Sequence, residues 1–393
     1  MVKASGIAIA AAFELPPGRY PDVSSYGMYR KVIREAFTRW GIGPRDIDGV
    51  FAMPCGIALG GSPDSFVHER ILEDLGLRAR VAECVNAGGA TYAVMVMRAA
   101  AAIQMGQADA VLCIGAGKYP KVSAGGGEAQ ARLVSDVEFE LPYGIFIPAI
   151  YALAARRYMA IYGAKPADLA RVAVSARQWA LLNPEAIMHS KGPITTDDVL
   201  QSRPIVDPFH LLDCSVPCEG GGAVLVTTAE RAQQICDRPA HLLGYGERHT
   251  HCYVSQAPDL VRTGGVDTAT EAFASAGMTP SEVDVAQIYD AFTINPLMLL
   301  ENLGFCEAGE APALVHSGAT DPGGSIPLNT NGGLLSFGHG GDASGMSVVV
   351  EGVRQVMGDA GERQVADVET ALVHTYGGMM ASHATLLLGR RAP

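Results

Sequence analysis

The chain has 393 residues, 48% of them hydrophobic and 18% charged, enough to bury a large core in two domain-sized halves. Its net charge of −12 comes with no lysine- or arginine-rich stripe, which excludes a nucleic-acid partner, because binding phosphates needs a basic surface. An anionic ligand would depend instead on local donors such as helix N-termini.

The short apolar run Gly6 to Phe13 predicts a buried strand. It is too short for a membrane span and lacks the flanks of a signal peptide, so a cytoplasmic protein is expected. Glu35-Ala36-Phe37 lies in a helix that stops at Gly41, followed by a turn led by Pro44 and a strand from Val50 to Met53. Gly88-Gly89-Ala90-Thr91 opens an apolar helix to Met105, and a strand follows from Ala110 to Ile114. A long insertion, about Lys118 to Asp207, carries a helix from Phe146 to Tyr162 and is expected to form a lid or pocket wall. The sheet resumes at Gly222 to Thr227, and a charged stretch, Ala229 to Arg238, leads onward.

The first pattern then returns. Glu271-Ala272-Phe273, Gly277, Pro280 and Asp284 repeat Glu35-Ala36-Phe37, Gly41, Pro44 and Asp48 at one constant offset of 236 residues. A strand from Val285 to Ile288, a helix from Asp342-Ala343-Ser344-Gly345 to Met357 and a strand from Thr370 to His374 complete the second copy. The chain is thus expected to be a duplicated α/β protein with halves at 1–228 and 239–393, the insertion occupying about 118–207. The eight cysteines are scattered and read as reduced core residues. Neither Cys214 with Cys218 nor His249, His251 and Cys252 is completed by a second ligand pair, so no metal site is expected.

The strongest chemical signal is the run from Asn329 to Gly345, where glycines flank His339 and allow a ligand close to the backbone. It reads Asn-Thr-Asn-Gly-Gly, then Gly338-His339-Gly340-Gly341-Asp342-Ala343-Ser344-Gly345. This resembles the Asn-x-x-Gly-Gly and Gly-His-Pro-x-Gly-Ala-Ser-Gly signature of the thiolase superfamily, with Gly340 at the proline. Tyr289-Asp290-Ala291-Phe292 resembles the Asn-Glu-Ala-Phe block, and the His-Asp-Cys-Phe of the sterol-carrier-protein-x (lipid-transfer-protein) branch. Asp213-Cys214-Ser215 resembles the end of the first half in that branch, and His374-Thr375-Tyr376-Gly377 the terminal Cys-x-Gly block, with Thr375 at the cysteine. The resemblance covers essentially the whole chain and implies the thiolase fold, a five-layered αβαβα sandwich.

It also implies where the chemistry has changed. Alignment on Gly106 and Asp109 places Gly89 at the acylated cysteine of a thiolase, so both thiol functions are gone. His339 would still stabilise an acyl-CoA enolate, and Tyr289 stands at the asparagine that shares this task. The expected reaction is therefore non-covalent carbon–carbon cleavage of the retro-aldol type on an acyl-CoA. Tyr289 would act as acid and base, its pKa lowered by His339 or a nearby dipole. Cysteine-less aldolases that shorten steroid side chains resemble the chain at Tyr289 but carry a second tyrosine where it keeps His339.

Gly338, Gly340, Ser344 and Gly89 are expected to contact the substrate, Gly89 by freeing volume for a bulky acyl group. Cys84, Asp290, Thr375, Tyr376 and His374 are candidates for the pocket wall, with Asp290 bracing its loop and Asp342 capping a helix. Coenzyme A enters only as part of the substrate, and no tightly bound cofactor is expected. The resemblance further implies a homodimer built on edge strands of the first half, and a small partner with an OB fold and zinc ribbon. Two alternatives stand beside the aldolase: an acyltransferase using Cys84 as a displaced nucleophile, and a non-catalytic acyl-CoA- or lipid-binding subunit.

Overall fold

The computed structural model describes residues 6–57, 63–119, 131–132, 134–144 and 146–392; parts of the insertion predicted at 118–207 thus lie outside the described residues. The main strands are β1 (Ile7–Glu14), β2 (Gly49–Ala52), β3 (Val81–Cys84), β4 (Ala110–Gly117), β7 (Gly220–Thr228), β8 (Ala240–His249), β9 (Val285–Ile288), β10 (Thr370–Gly377) and β11 (Ser382–Gly389). A small hairpin, β5 (Pro204–Val206) and β6 (Phe209–His210), lies apart from them in the insertion. The longer helices are α1 (Ser25–Trp40), α2 (Val67–Leu75), α3 (Thr91–Gln104), α4 (Ile147–Tyr162), α5 (Pro166–Leu181), α6 (Gly265–Ala276), α7 (Ile294–Asn302) and α8 (Ser344–Met357).

The main strands form one nine-stranded sheet in the order β3-β2-β4-β7-β1-β8-β11-β10-β9. Its two ends mirror each other. β1 pairs antiparallel with β7 as β8 does with β11, β7 antiparallel with β4 as β11 does with β10, and β4 parallel to β2 as β10 is to β9. The second-half counterpart of β3 is reduced to a single parallel bridge, Ala286 to Leu328. Within the sheet, β1 and β8 join the two ladders through Ala8↔His241 and Ile9↔Ala240, which turns two sheets into one continuous ladder.

The duplicated turns fold alike. α1 and α6 both end at a left-handed glycine, Gly41 and Gly277, each with φ 67°, and Pro44 and Pro280 each open a 3-10 turn. α3 and α8 pack on strands of both halves, α1 and α2 cover the outer side of the first half, and α6 covers β8 and β11. This gives the αβαβα layering implied by the resemblance, with α3 and α8 in the middle. Close packing there needs Gly352, where an added Cβ would stand 2.4 Å from a Val373 methyl.

The insertion supports the second half. Tyr151 of α4 stacks on Phe292 with ring centroids 4.6 Å apart. Trp179 donates to the Thr320 carbonyl at 2.9 Å, and the Asn183 amide to the Asn331 carbonyl at 2.9 Å. Beneath that loop lies a buried ion pair, Arg363 Nη2 to Glu351 Oε2 at 2.9 Å. Glu351 also accepts from the Thr330 hydroxyl at 2.6 Å, and Thr330 from the Gln287 amide at 3.0 Å, which ties the glycine-rich loop to β9 and α8. Removing one member of such a pair strands the other charge in the core. Arg363→Leu is expected to lower the free energy of unfolding by about 3–5 kcal/mol, measured by urea denaturation; an unchanged midpoint would show that the pair holds nothing.

Candidate functional site

Tyr289 directly follows β9, and its N–H donates to the His374 carbonyl at 3.0 Å, continuing the β9–β10 ladder by one residue. The chain then turns sharply, and Asp290 Oδ1 accepts the Leu334 N–H at 2.7 Å, bracing the loop as predicted. Burial raises the Asp290 carboxyl to about 7, against the opposing Leu334 donor. Gly333, at φ 62°, sits so close that an added Cβ would stand 2.1 Å from Asp290 Oδ2.

The His339 loop is fixed by a strand-like segment from the first half. His339 N–H donates to the Val216 carbonyl at 2.7 Å, and the Cys218 N–H to the His339 carbonyl at 2.9 Å. The same segment reaches the tyrosine loop, since Ser215 N–H donates to the Ala291 carbonyl at 2.9 Å. Thr293 also donates its hydroxyl to Asp213 Oδ1 at 2.8 Å. Gly338 adopts φ 148°, and a Cβ there would meet the Cys218 sulfur at 2.8 Å. Gly340 keeps a φ of −75°, the angle of a proline.

These loops bring three side chains to one point. The Tyr289 hydroxyl lies 3.0 Å from His339 Nε2 and 2.7 Å from the hydroxyl of Ser344, the first residue of α8. The Tyr289 ring meets those of His339 and Tyr376 edge-on, with centroids 6.0 Å and 4.9 Å away. Tyr119 lies edge-on to His339 at 5.9 Å. Burial pushes the His339 imidazole down to about 4, so it is neutral at neutral pH. Burial also holds Tyr289 above the ordinary tyrosine range, despite the Ser344 hydrogen bond. The expectation of a lowered Tyr289 pKa is therefore corrected: its partners are neutral, and desolvation disfavours the phenolate.

Gly89 also acts differently from the expectation. An added Cβ would lie 2.3 Å from the Tyr376 carbonyl and 2.7 Å from the Tyr289 ring. The space beside Gly89 is filled by Tyr289, so no volume is freed there for an acyl group. Cys84 is placed away from the site. It closes β3 on the face packed by α1 and α2, whereas Tyr289 and Tyr376 belong to the core on the other face. Burial also raises its thiol to about 11. The displaced-nucleophile reading fails on both counts.

His374 is fully buried and turned to its strand neighbours, with Nδ1 2.8 Å from the Thr385 hydroxyl and Nε2 3.1 Å from His383. Tyr376 shares that face of β10 and reaches Tyr289, while Thr375 presents the opposite face. Asp342 is not the helix cap that was expected. It lies in a 3-10 turn, and Ala343 precedes α8 without a side-chain cap. Its carbonyl instead accepts the buried Tyr92 hydroxyl at 2.6 Å. Tyr92, Tyr119 and the Ser344–Tyr289 bond were not legible in the sequence. The one hint was Gly115, where a Cβ would overlap the Tyr92 ring. Gly89→Ala is expected to destabilise the fold by about 1–3 kcal/mol through overpacking and to alter the near-ultraviolet tyrosine signal. Unchanged melting and spectrum would show that the contact is soft.

The thiolase C-terminal domain-like family matches residues 246–390. The chain is 30% identical to an acetyl-CoA acetyltransferase of Methanothermobacter thermautotrophicus, over 98% of this chain and 99% of that protein. It is 34% identical to a steroid side-chain-cleaving aldolase of Thermomonospora curvata, over 89% of each. It is also 32% identical to a 17-hydroxy-3-oxo-4-pregnene-20-carboxyl-CoA lyase of Mycobacterium tuberculosis, over 91% of this chain and 92% of that one. Among solved structures, the Ltp2–ChsH2(DUF35) aldolase superposes with a TM-score of 0.85 at 30% identity, covering 99% of both chains. Together with the mirrored halves and the His339 loop, these likenesses show that the chain belongs to the thiolase superfamily, in the branch of the sterol carrier protein 2 thiolases and steroid side-chain aldolases.

Proposed function

We propose that the chain is an acyl-CoA carbon–carbon lyase that cleaves β-hydroxyacyl-CoA thioesters by a retro-aldol reaction, without an acyl-enzyme. The observation that carries this reading is the Tyr289 ring standing where a Cβ of residue 89 would be, its hydroxyl bonded to His339 and Ser344. A covalent route needs a nucleophile at that point, and tyrosine has displaced it. Retro-aldol cleavage needs only an enolate site and a group that handles the β-hydroxyl proton.

In this reading the thioester oxygen lies against His339 Nε2, where a neutral imidazole donates to the growing enolate charge. The β-hydroxyl lies against Tyr289, which accepts its proton as its own passes to Ser344. Buried surroundings strengthen both hydrogen bonds relative to water. The names of the relatives support a steroid side chain as the acyl group and the acyl-CoA thioester as the substrate class. The acyltransferase alternative has lost its candidate nucleophile with Cys84, and a binding-only subunit would have no use for the bonded Tyr289, His339 and Ser344.

The assembly follows the same reasoning. The outer edge of β3 has no partner strand among the described residues and is proposed to pair with a second copy. The Ltp2–ChsH2(DUF35) likeness supports a partner subunit, which we propose to be a small protein with an OB fold and zinc ribbon. A division into halves at 1–228 and 239–393 and a cytoplasmic location complete the proposal. No helix among the described residues is long and apolar enough to cross a membrane, and no cluster of metal-ligating side chains occurs among them.

Tyr289→Phe keeps the ring that fills the site but removes its hydroxyl. With a steroid β-hydroxyacyl-CoA, kcat is expected to fall by about 10²–10⁴-fold while the substrate still binds in calorimetry; a loss under tenfold would end the aldolase reading. Incubation with acetyl-CoA followed by mass spectrometry is expected to show no acetylated cysteine. Stable acetylation of Cys84 would instead restore the acyltransferase reading.

A further inference from the structure

Neither Tyr289 nor His339 is a base of useful strength at neutral pH, because burial raises the one and lowers the other. A proton acceptor has to lie further back. Ser344, bonded to Tyr289 at 2.7 Å, is the only hydroxyl joined to it among the described residues, so it marks the way out. Ser344 also lines a small closed-in cavity with Ser347, Cys218 and the backbone of Gly338 and Gly340. The one carboxylate facing this cavity is Glu14, the last residue of β1. Its room corresponds to about one water molecule, and its lining supplies the polar partners that such a water needs.

Glu14 is unusual for a carboxylate at a strand end. Its backbone pairs with Gly222 in the sheet, but the side chain of this half-buried residue takes part in no hydrogen bond or ion pair among the described residues, whereas the bracing carboxylates Asp290 and Glu351 both accept such bonds. A carboxylate kept merely to hold the loop would be expected to do the same. We infer that Glu14 is the proton-accepting group of this site, connected to Tyr289 through Ser344 and one bridging water. The inference rests on the retro-aldol reading.

The step balances. The substrate O–H proton moves to the Tyr289 oxygen as the Tyr289 proton moves to Ser344, the Ser344 proton to the water and a water proton to Glu14. The carbon–carbon bond breaks, the β-carbon becomes a carbonyl, and the freed electron pair becomes the thioester enolate. The proton then returns along the same chain to the enolate carbon, so nothing is consumed. Burial, modulated by the charged groups around it, sets the range in which Glu14 titrates. Burial raises its carboxyl to about 8; Arg354 opposes the rise, Glu185 and Glu351 add to it, and Arg363 opposes it. Cys218, which shares the cavity, is held protonated by burial at about 12.

A raised carboxyl is mostly protonated at pH 7, and its accepting form grows as pH climbs towards 8. For the full-length protein, kcat/KM on a steroid β-hydroxyacyl-CoA is therefore expected to rise about tenfold per pH unit below pH 8 and to level off above it. Glu14→Gln is expected to abolish this limb and lower kcat/KM by about 10²-fold, and Glu14→Asp to restore a limb. A Glu14→Gln protein that keeps the limb overturns the inference. A second measurement needs no turnover: the infrared carbonyl band of protonated Glu14, identified by its loss in Glu14→Gln, is followed in Ser344→Ala. A shifted band or titration midpoint supports the connection, and an unchanged one overturns it. If the wild-type protein cleaves no β-hydroxyacyl-CoA, the retro-aldol reading fails by itself, and the infrared result still decides the link.

Discussion

The site depends on one missing atom. Without a Cβ at Gly89, the Tyr289 ring and the Tyr376 carbonyl can close on the backbone just before α3. That approach sets where the Tyr289 hydroxyl lies, and through it the bonds to His339 and Ser344. A side chain at this position would push the ring off both partners. In the proposed reading, loss of a nucleophile at this position and gain of the tyrosine are one structural event, so the site is altered and not eroded.

The electrostatics follow from burial. A thiolate site must stabilise a standing charge on sulfur, whereas this one keeps its tyrosine and histidine neutral by desolvation. Neutral, hydrogen-bonded groups cost little to hold in the dark interior of the protein, and they respond only when charge develops on a substrate. The same burial leaves the pair unable to take a proton for long, so the carboxylate behind Ser344 becomes chemically interesting.

Much of the fold was legible in the sequence, because helix stops, turns and apolar runs are local. Gly41 and Gly277, with Pro44 and Pro280, announced the duplication, and the strand from Val285 to Ile288 was placed to the residue. What the sequence hid was which way side chains face. Cys84 and Gly89 are five residues apart, yet the sheet carries Cys84 to the α1–α2 side and leaves Gly89 beside the tyrosines. His374 and Tyr376 share a strand face, but only the tyrosine is long enough and far enough along to reach Tyr289. Asp342 reads as a cap in sequence, but a 3-10 turn intervenes before α8. The Glu14 carboxylate lies over three hundred positions from Ser344, and nothing near it in the chain hints at the meeting.

The segment from Asp213 to Cys218 has a consequence for how the protein comes into being. It is the last stretch of the first half before β7, yet it hydrogen-bonds both loops that carry Tyr289 and His339, more than seventy residues downstream. A nascent chain whose first half has already folded therefore holds this segment without its partners until the second half arrives. Contacts so distant in sequence form late, because the intervening loop must be closed first. Reactive geometry then appears only on a completed molecule, and a truncated or half-folded chain carries no working site into the cell.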